Sequence, residues 1–137
     1  MQIQTVAPEY IHQVWPQVKT FLESGIEAGI PNVDCTIDQL QIQLASGIQT
    51  LFVAVDNNVI HGAATVALET LPNHRVATIT TAGGRGIVTE EVISQVAAWA
   101  KTQGATKLRA WAQESQARLY KRCVGLNAAA TVVEKLI

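Results

Sequence analysis

The stretch that decides the fold covers residues 80–91 and reads TTAGGRGIVTEE. An apolar, β-branched run precedes it and an amphipathic pattern follows it, so a glycine-rich turn joins a strand directly to a helix. Free backbone N–H groups and the positive end of the helix dipole converge at such a turn, which makes it a site for an anion. The candidate residues for binding a phosphate group are therefore Gly83, Gly84, Arg85 and Gly86.

Three charged side chains beside this turn leave open whether it binds an anion. Glu90 and Glu91 lie in the first turn of the helix, where each carboxylate would repel a bound pyrophosphate. Arg85 can clamp a phosphate group, or it can pair with one of these glutamates. The ion pair is the favoured interpretation, because the carboxylates are close in sequence and the pairing suits a helix N-terminus.

Composition sets broad limits on the class of protein. The chain has 137 residues, with 10 Lys and Arg against 11 Asp and Glu, so we expect one domain over residues 1–137 and no general attraction to nucleic acid. Only 15% of the residues are charged, which indicates either a large core or an apolar surface that packs on a partner. No apolar run approaches the roughly 20 residues of a membrane span, and no signal peptide is expected.

Cysteine and histidine show no metal-binding or disulfide pattern. Cys35 and Cys123 are far apart and belong to no Cys-x-x-Cys or Cys/His spacing, so we expect two reduced packing residues. His12, His61 and His74 are isolated along the chain. No metal site is predicted.

Hydrophobic periodicity predicts the element order β-α-α-β-β-β-α-β-α-β. The predicted strands cover residues 1–6, 50–56, 59–69, 75–81 and 107–113, followed by a β-rich segment over residues 127–137. The predicted helices begin at Pro8, at the Thr36 capping box, at Thr89 and at Glu114, and Pro16 either kinks the first helix or restarts it. Residues 24–34 are predicted to form a loop that can hold a short helical turn, and Asn57-Asn58 a tight turn.

This order, with the glycine turn placed between the third hairpin strand and the long helix, resembles the GCN5-related N-acetyltransferase (GNAT) fold over almost the whole chain. Residues 99–104 (WAKTQG) resemble the end of that family's cofactor helix, and residues 107–112 the strand that follows it. Residues 116–121 (QARLYK) are similar to the segment before its closing glycine and strand. The resemblance implies an α/β fold with a mixed, mostly antiparallel sheet flanked by helices.

Three short motifs are similar to a subgroup of small GNAT-like proteins in tailed bacteriophages, which includes internal virion proteins of T7-like phages. They are VWP at residues 14–16, AGGRG at residues 82–86 and WA at residues 99–100. This resemblance implies a virion component located in the virion or the host cytoplasm. Its partners would be other proteins, such as virion proteins, and a homo-oligomer is possible.

The glycine loop departs from the pattern of the enzymatic family. That pattern is Arg/Gln-x-x-Gly-x-Gly/Ala, and counting back from residues 99–100 places Gly84, Ile87 and Thr89 at its three defined positions. Both signature glycines are then absent, and Ile87 would put a Cβ where the backbone must approach phosphate closely. Only a shift of register that uses Gly83, Gly84 and Gly86 would restore the room.

If the resemblance extends to activity, acyl transfer to an amine needs a base, a donor for the carbonyl oxygen and an acid for the leaving thiolate. Tyr120 is the candidate acid by position, and the alternative is an aromatic residue on the buried side of a short helix. Its distance from Gly125 is one residue longer than the usual Tyr-x-x-x-Gly spacing. Glu69, at the end of the second hairpin strand, is the candidate base or simply a solvated carboxylate. A backbone N–H of the third hairpin strand could polarise the carbonyl.

The sequence alone favours a GNAT-like domain with a degenerate acetyl-CoA loop that acts as a structural or interaction protein without a cofactor. The alternative is an active acetyl-CoA-dependent N-acyltransferase that uses the glycine loop and Tyr120, and whether the chain is an enzyme stays open. A third and weaker hypothesis is a regulator that binds nucleic acid or a host protein through the basic C-terminal third. That third has no interleaved aromatic residues to stack on bases.

Overall fold

A computed structural model describes residues 1–28 and 34–137 of the chain. The described residues form the order β-α-α-β-β-β-α-β-α, which confirms the predicted order as far as the last helix. A short 3-10 turn, Pro8–Tyr10, leads into the first helix. The elements are β1 (Gln2–Val6), α1 (Ile11–Ala28), α2 (Ile37–Ala45), β2 (Thr50–Asp56), β3 (Val59–Thr70), β4 (Arg75–Gly84), α3 (Glu90–Thr102), β5 (Lys107–Ala110) and α4 (Glu114–Val124).

The five strands form one sheet in the order β1-β2-β3-β4-β5. Neighbours from β1 to β4 are antiparallel, and β5 is parallel to β4, so the predicted mixed, mostly antiparallel sheet is confirmed. A parallel neighbour requires a crossover connection, which here is α3.

Helices cover both faces of the sheet. Because side chains of a strand alternate between the two faces, β3 contributes residues to both cores. Ala63 packs with α1 and α2 on one face, whereas Val66 packs beneath α3 on the other. On the α3 face the Phe52 and Trp99 rings meet edge to face, with centroids 4.8 Å apart. The core under α1 and α2 includes Ile11, Val18, Leu22, Leu40 and Leu51, and the core under α3 includes Ile79, Val96 and Ala100.

Local sequence signals fix several element boundaries. Thr36 and Gln39 form the predicted capping box, with the Thr36 amide donating to Gln39 Oε1 at 2.9 Å and the Gln39 amide donating to Thr36 Oγ1 at 3.2 Å. Asn57 and Asn58 have φ values of 50° and 62°, which confirms the tight turn of the β2–β3 hairpin. Thr89 caps α3 as predicted.

The predicted loop over residues 24–34 is wrong for its first part, since α1 runs without interruption across Pro16 to Ala28. Gly25 is buried inside this helix, and a Cβ added there would lie 2.6 Å from the backbone oxygen of Ala82 in β4. The glycine therefore permits close packing of helix on strand instead of ending the helix. Residues 29–33 of the predicted loop lie outside the described part of the chain.

The predicted last strand over residues 127–137 is not formed, and these residues have no regular secondary structure. Val133, Leu136 and Ile137 are all exposed. A preference for β structure depends on packing against neighbouring strands, and none of the described strands pairs with this segment. Along the described chain, no helix is both long and apolar enough to span a membrane.

Candidate functional site

The candidate site lies where β4 and β5 separate. The two strands pair from Val76 opposite Lys107 to Ile79 opposite Ala110, and one further bond joins the Trp111 amide to the Ile79 oxygen at 3.2 Å. Beyond this point β4 continues to Gly84, paired only with β3 on its other side. Within the described residues no strand pairs with this free edge of β4, so its backbone groups face an opening.

A β-bulge in β4 begins at the same point. Thr65 pairs with Thr81 and Val66 with Ile79, so Thr80 is the extra residue on β4. A bulge bends its strand and increases the local twist, which turns β4 away from β5. The sequence shows no sign of this bulge, although it is what creates the opening.

A small apolar cavity of about 30 Å³ adjoins the opening, between the sheet and α3. Ile79 and Ala82 of β4, Ile87 of the following loop and Tyr120 of α4 contribute to its walls. A cavity of this size accepts about one water or a similarly small group. Any large ligand must therefore lie along the opening and place only a small group in the cavity.

Tyr120 is the one titratable residue that lines this cavity among the described residues. It is 8% exposed, and burial raises the pKa of its phenol above the ordinary value. The hydroxyl takes part in none of the hydrogen bonds between described residues. The Tyr120 phenol is therefore protonated at neutral pH, and its proton is not donated to any described residue, as a general acid requires. The ring also packs as a buried aromatic side chain.

The raised pKa of Tyr120 predicts a late phenol titration in the folded protein. A Tyr10→Phe variant keeps Tyr120 as its only tyrosine, and its ultraviolet absorbance should change with a midpoint above about 10, the ordinary tyrosine pKa. Because the folded pKa is raised, the stabilisation from Tyr120 is complete below about pH 10 and is lost as the pH rises through the folded pKa. The same variant in denaturant is the control. A folded midpoint at or below the denatured one would contradict the burial of this phenol.

Glu69, the candidate base, is not brought to Tyr120. It lies near the end of β3, is exposed, and pairs with Val76, which precedes the opening along β4. Because β3 alternates and Val66 and Leu68 face α3, Glu69 is on the opposite face of the sheet from the Tyr120 cavity.

Gly83 and Gly84 are strand residues of β4, not part of a free turn as the sequence predicted. A Cβ at Gly83 would overlap the carbonyl oxygen of Phe21 in α1, and one at Gly84 would meet the backbone of His61 and Gly62 in β3. Both glycines thus allow β4 to pack closely on its neighbours.

Gly86 differs from these two glycines. It has a φ of 67° and no atom within 4 Å of an added Cβ, so this part of the loop borders open space. The Arg85 amide is not available to a ligand, since it donates to the His61 oxygen at 3.3 Å.

The favoured ion pair of Arg85 with Glu90 or Glu91 is not formed. Arg85 is exposed and has no ion pair with any described residue, whereas Glu91 binds the amino group of Met1 at 3.3 Å. Proximity in sequence did not bring these charges together, because the loop turns between residue 85 and the helix. The guanidinium of Arg85 is left available for an anionic group.

At the N-terminus of α3 some backbone amides have a hydrogen-bond acceptor and others do not. Thr89 Oγ1 accepts from the Val92 amide at 3.2 Å, and the Thr89 oxygen accepts from the Ile93 amide at 3.0 Å. The amides of Glu90 and Glu91 have no acceptor among the described residues. Together with Arg85, they are the groups of the candidate site with the chemistry to hold an anion.

Ile87, which departs from the enzymatic pattern, is turned into the protein. It is 8% exposed and contacts the position of Gly62 so closely that a Cβ there would overlap the Ile87 side chain. Its side chain therefore forms part of the cavity wall. Gly62 was missed by sequence reasoning, although an isolated glycine in a strand pattern is a known sign of close approach.

Metal chemistry has no visible basis in the described residues, which contain no group of three or more His, Cys, Asp or Glu side chains able to hold an ion. Cys35 and Cys123 are free thiols. The candidate site thus consists of backbone amides, one guanidinium and one phenol.

No protein-family model matches the sequence, and no curated protein matches it. Solved structures do match it over the full chain. An aminoglycoside acetyltransferase from an uncultured soil metagenomic sample, in complex with sisomicin, has 18% identity and a TM-score of 0.71, and the match covers 99% of this chain and 94% of that one.

Two further structures agree with that result. A ribosomal-protein-alanine N-acetyltransferase from Brucella melitensis biovar Abortus 2308 has 18% identity and a TM-score of 0.68, covering 100% of this chain and 99% of that one. A predicted acetyltransferase with acetyl-CoA from Clostridium acetobutylicum has 20% identity and a TM-score of 0.68, covering 98% and 95%. The comparisons give no support to the bacteriophage subgroup. They show that this chain has the GNAT acetyltransferase fold.

Proposed function

We propose that this chain is an acetyl-CoA-dependent N-acyltransferase, which the sequence left as the alternative. The observation that carries the proposal is the separation of β4 from β5 at the Thr80 bulge, beside the buried and protonated Tyr120. The Clostridium acetobutylicum protein of the same fold was solved with acetyl-CoA. A fold alone does not determine its chemistry, and it is this opening and its residues that favour acyl transfer.

The opening suits an extended ligand that carries amide groups. Acetyl-CoA has such a chain, and the free edge of β4 can bind it as a sheet edge binds an added strand. Its acetyl group would be the small group that the cavity of about 30 Å³ accepts. Its pyrophosphate would meet Arg85 and the amides of Glu90 and Glu91, with the open space at Gly86 beside them.

The residues of the site divide the chemistry between them. A backbone amide at the bulge would donate to the thioester oxygen, and the Tyr120 phenol would protonate the leaving thiolate. Glu69 lies on the other face of the sheet, so the proton of the attacking amine leaves through water in this proposal. The bound cofactor supplies an activated acetyl group.

The proposed function is tested by calorimetric titration with acetyl-CoA and CoA, followed by an assay of acetyl transfer to amines. Amine acceptors of two kinds are suggested by the matched proteins, namely an aminoglycoside and a peptide with N-terminal alanine. Saturable binding in the micromolar range with transfer of acetyl supports the proposal. No binding heat at millimolar ligand would contradict it.

Arg85→Ala should weaken CoA binding about tenfold, because charge-assisted hydrogen bonds to phosphate contribute roughly 1.5–3 kcal/mol. The matched control is Arg118→Ala, which removes another exposed guanidinium, one that pairs with Glu114 in α4. The dissociation constants are measured by calorimetry at one salt concentration, since exposed charges are screened. Equal affinities in the two variants would remove Arg85 from the site.

A structural or interaction role is the second candidate. It is favoured by the exposure of Val133, Leu136 and Ile137 within five residues of one another, because clusters of exposed apolar residues commonly mark a contact surface. The partners would then be other proteins, such as virion proteins, or a second copy of the chain. A protein that binds no CoA but forms a stable complex through this segment would favour this role.

A further inference from the structure

Two alanines on neighbouring strands leave the space beneath α3. Ala64 of β3 and Ala82 of β4 are directly opposite each other in the sheet, and both line the apolar cavity. In the next pair on the same face, Val66 is opposite Ile79, and both side chains are larger. Val92 of α3 lines the cavity from the helix side. The room in the cavity therefore depends on the short side chains of the alanine pair.

Ala82 is the member of this pair that borders the opening. It lies beyond Ile79, on the part of β4 whose free edge pairs with no described strand. Its side chain is half-buried and packs against the core under α3. A group that reaches the cavity from the opening therefore contacts the methyl group of Ala82.

A polar side chain lines the same cavity without a protein partner. Tyr120 is 8% exposed, and its hydroxyl makes no hydrogen bond with a described residue. Hydroxyl groups that are largely buried usually have a partner, so a bound group with an acceptor atom suits this position. The carbonyl oxygen of a thioester is such an atom and lies next to the acyl chain. The cavity thus offers an apolar space beside one hydrogen-bond donor.

The volume of the cavity limits the length of an acyl chain. It measures about 30 Å³, close to the space for one water molecule, so the methyl group of an acetyl thioester fits. A propionyl group adds one methylene, which would press on the alanine pair or on Val92. One extra methylene in a hydrophobic pocket changes the discrimination between two substrates by about 10–200-fold. The cavity therefore favours the shortest acyl group.

We propose that Ala82 is a specificity-determining residue, whose methyl side chain leaves room for an acetyl group and excludes the longer acyl chains of other acyl-CoA donors. The inference rests on the proposed function for the CoA part of the ligand, and it adds the class of acyl group that the site accepts. Ile79, the preceding β4 residue on the same face, is the second residue that limits the length of the space.

The test uses one variant that fills the cavity and one that enlarges it. Ala82→Val adds two methyl groups beside the space, and Ile79→Val removes one carbon atom from its wall. The matched controls are Ala67→Val and Ile11→Val, neither of which changes a residue that lines the cavity. Ala67 is a half-buried residue on the opposite face of β3, and Ile11 is buried in the core under α1 and α2.

Calorimetry measures the dissociation constants of CoA, acetyl-CoA and propionyl-CoA, and it needs no acceptor amine. We expect the original protein to bind acetyl-CoA about tenfold more tightly than propionyl-CoA. Ala82→Val should weaken acetyl-CoA binding about tenfold and leave the affinity for CoA unchanged, because CoA has no acyl group. Ile79→Val should strengthen propionyl-CoA binding about fourfold, the equivalent of burying one methylene. Both controls should bind all three ligands as the original protein does.

The outcomes separate this inference from the proposed function. Equal affinities of the original protein for acetyl-CoA and propionyl-CoA would overturn the inference and leave the proposed function standing. An equal loss of CoA and acetyl-CoA binding in Ala82→Val, or the same loss in Ala67→Val, would also overturn it, because the effect would then be general disruption of the sheet. A protein that binds none of the three ligands would overturn the inference together with the proposed function.

Discussion

Gly83→Ala should lower the melting temperature by about 10 °C, the largest stability effect that we expect from adding a single methyl group. A Cβ at this position overlaps the carbonyl oxygen of Phe21 and lies 2.8 Å from its carbonyl carbon and 3.3 Å from the amide nitrogen of Gly25. These are backbone atoms of α1, so the helix and β4 must move apart as units. Overpacking of this kind costs about 3 kcal/mol, and each kcal/mol shifts the melting temperature by about 3–4 °C in a domain of this size.

The matched control is Gly125→Ala. Gly125 ends α4 with a φ of 73°, and an added Cβ there has nothing within 4 Å. Its replacement costs only the local backbone strain, about 1–2 kcal/mol. Thermal unfolding followed by circular dichroism compares the two variants. A melting temperature for Gly83→Ala equal to that of Gly125→Ala would show that α1 does not pack on β4 as described.

The close packing of Gly83 affects which glycine variants can test phosphate binding by the glycine-rich stretch. Loss of CoA binding in a bulky variant of Gly83 or Gly84 would not identify a phosphate contact, because such a variant disrupts packing of β4 on α1 or β3. Gly86 is the more informative position, since an added Cβ there has no protein atom within 4 Å and the variant carries only the local backbone strain of a φ of 67°.

The parts of the fold that the sequence predicts are those determined by neighbouring residues. The Thr36 capping box, the Thr89 cap and the Asn57-Asn58 turn each depend on groups within a few residues, so their chemistry is visible in the sequence. Strand alternation in β2 and β3 has the same local origin. The order of elements follows from these signals.

The features that define the site depend on contacts between distant residues. The bulge at Thr80 lies in the pairing of β4 with β3, and the Thr80 hydroxyl bonds to Thr65 and Gln49, neither of which is near it in sequence. Gly25 continues a helix instead of ending one because β4 lies against it. The last predicted strand does not form, because none of the described strands lies beside its β-branched residues to pair with them.

The sequence predicted which kinds of residue belong to the candidate site better than it predicted how those residues are arranged. Tyr120 lies at the cavity, as its place before the closing glycine suggested, but Glu69 lies on the other face of the sheet. Of the predicted phosphate-binding residues, Arg85 and Gly86 border open space, whereas the two preceding glycines serve packing. A sequence motif indicates that glycines are needed without showing which neighbour requires them.

Tyr120→Phe should reduce kcat for acetyl transfer by about 10²–10³-fold and leave the dissociation constant of acetyl-CoA nearly unchanged. The magnitude is typical for removal of a general acid. The variant is a clean test, because the Tyr120 hydroxyl makes no hydrogen bond to a described residue and its removal leaves the packing of the ring intact. Tyr10→Phe is the control, since Tyr10 is 55% exposed and does not line the cavity.

The pH dependence of the rate separates an acid from a packing residue. Because burial raises the pKa of the Tyr120 phenol, kcat of the original protein should hold up to about pH 10 and fall only as the phenol ionises above that value. The residual activity of Tyr120→Phe should show no such alkaline decrease. A variant with unchanged kcat and the same alkaline decrease would make Tyr120 a core aromatic residue, and another donor would then have to protonate the thiolate.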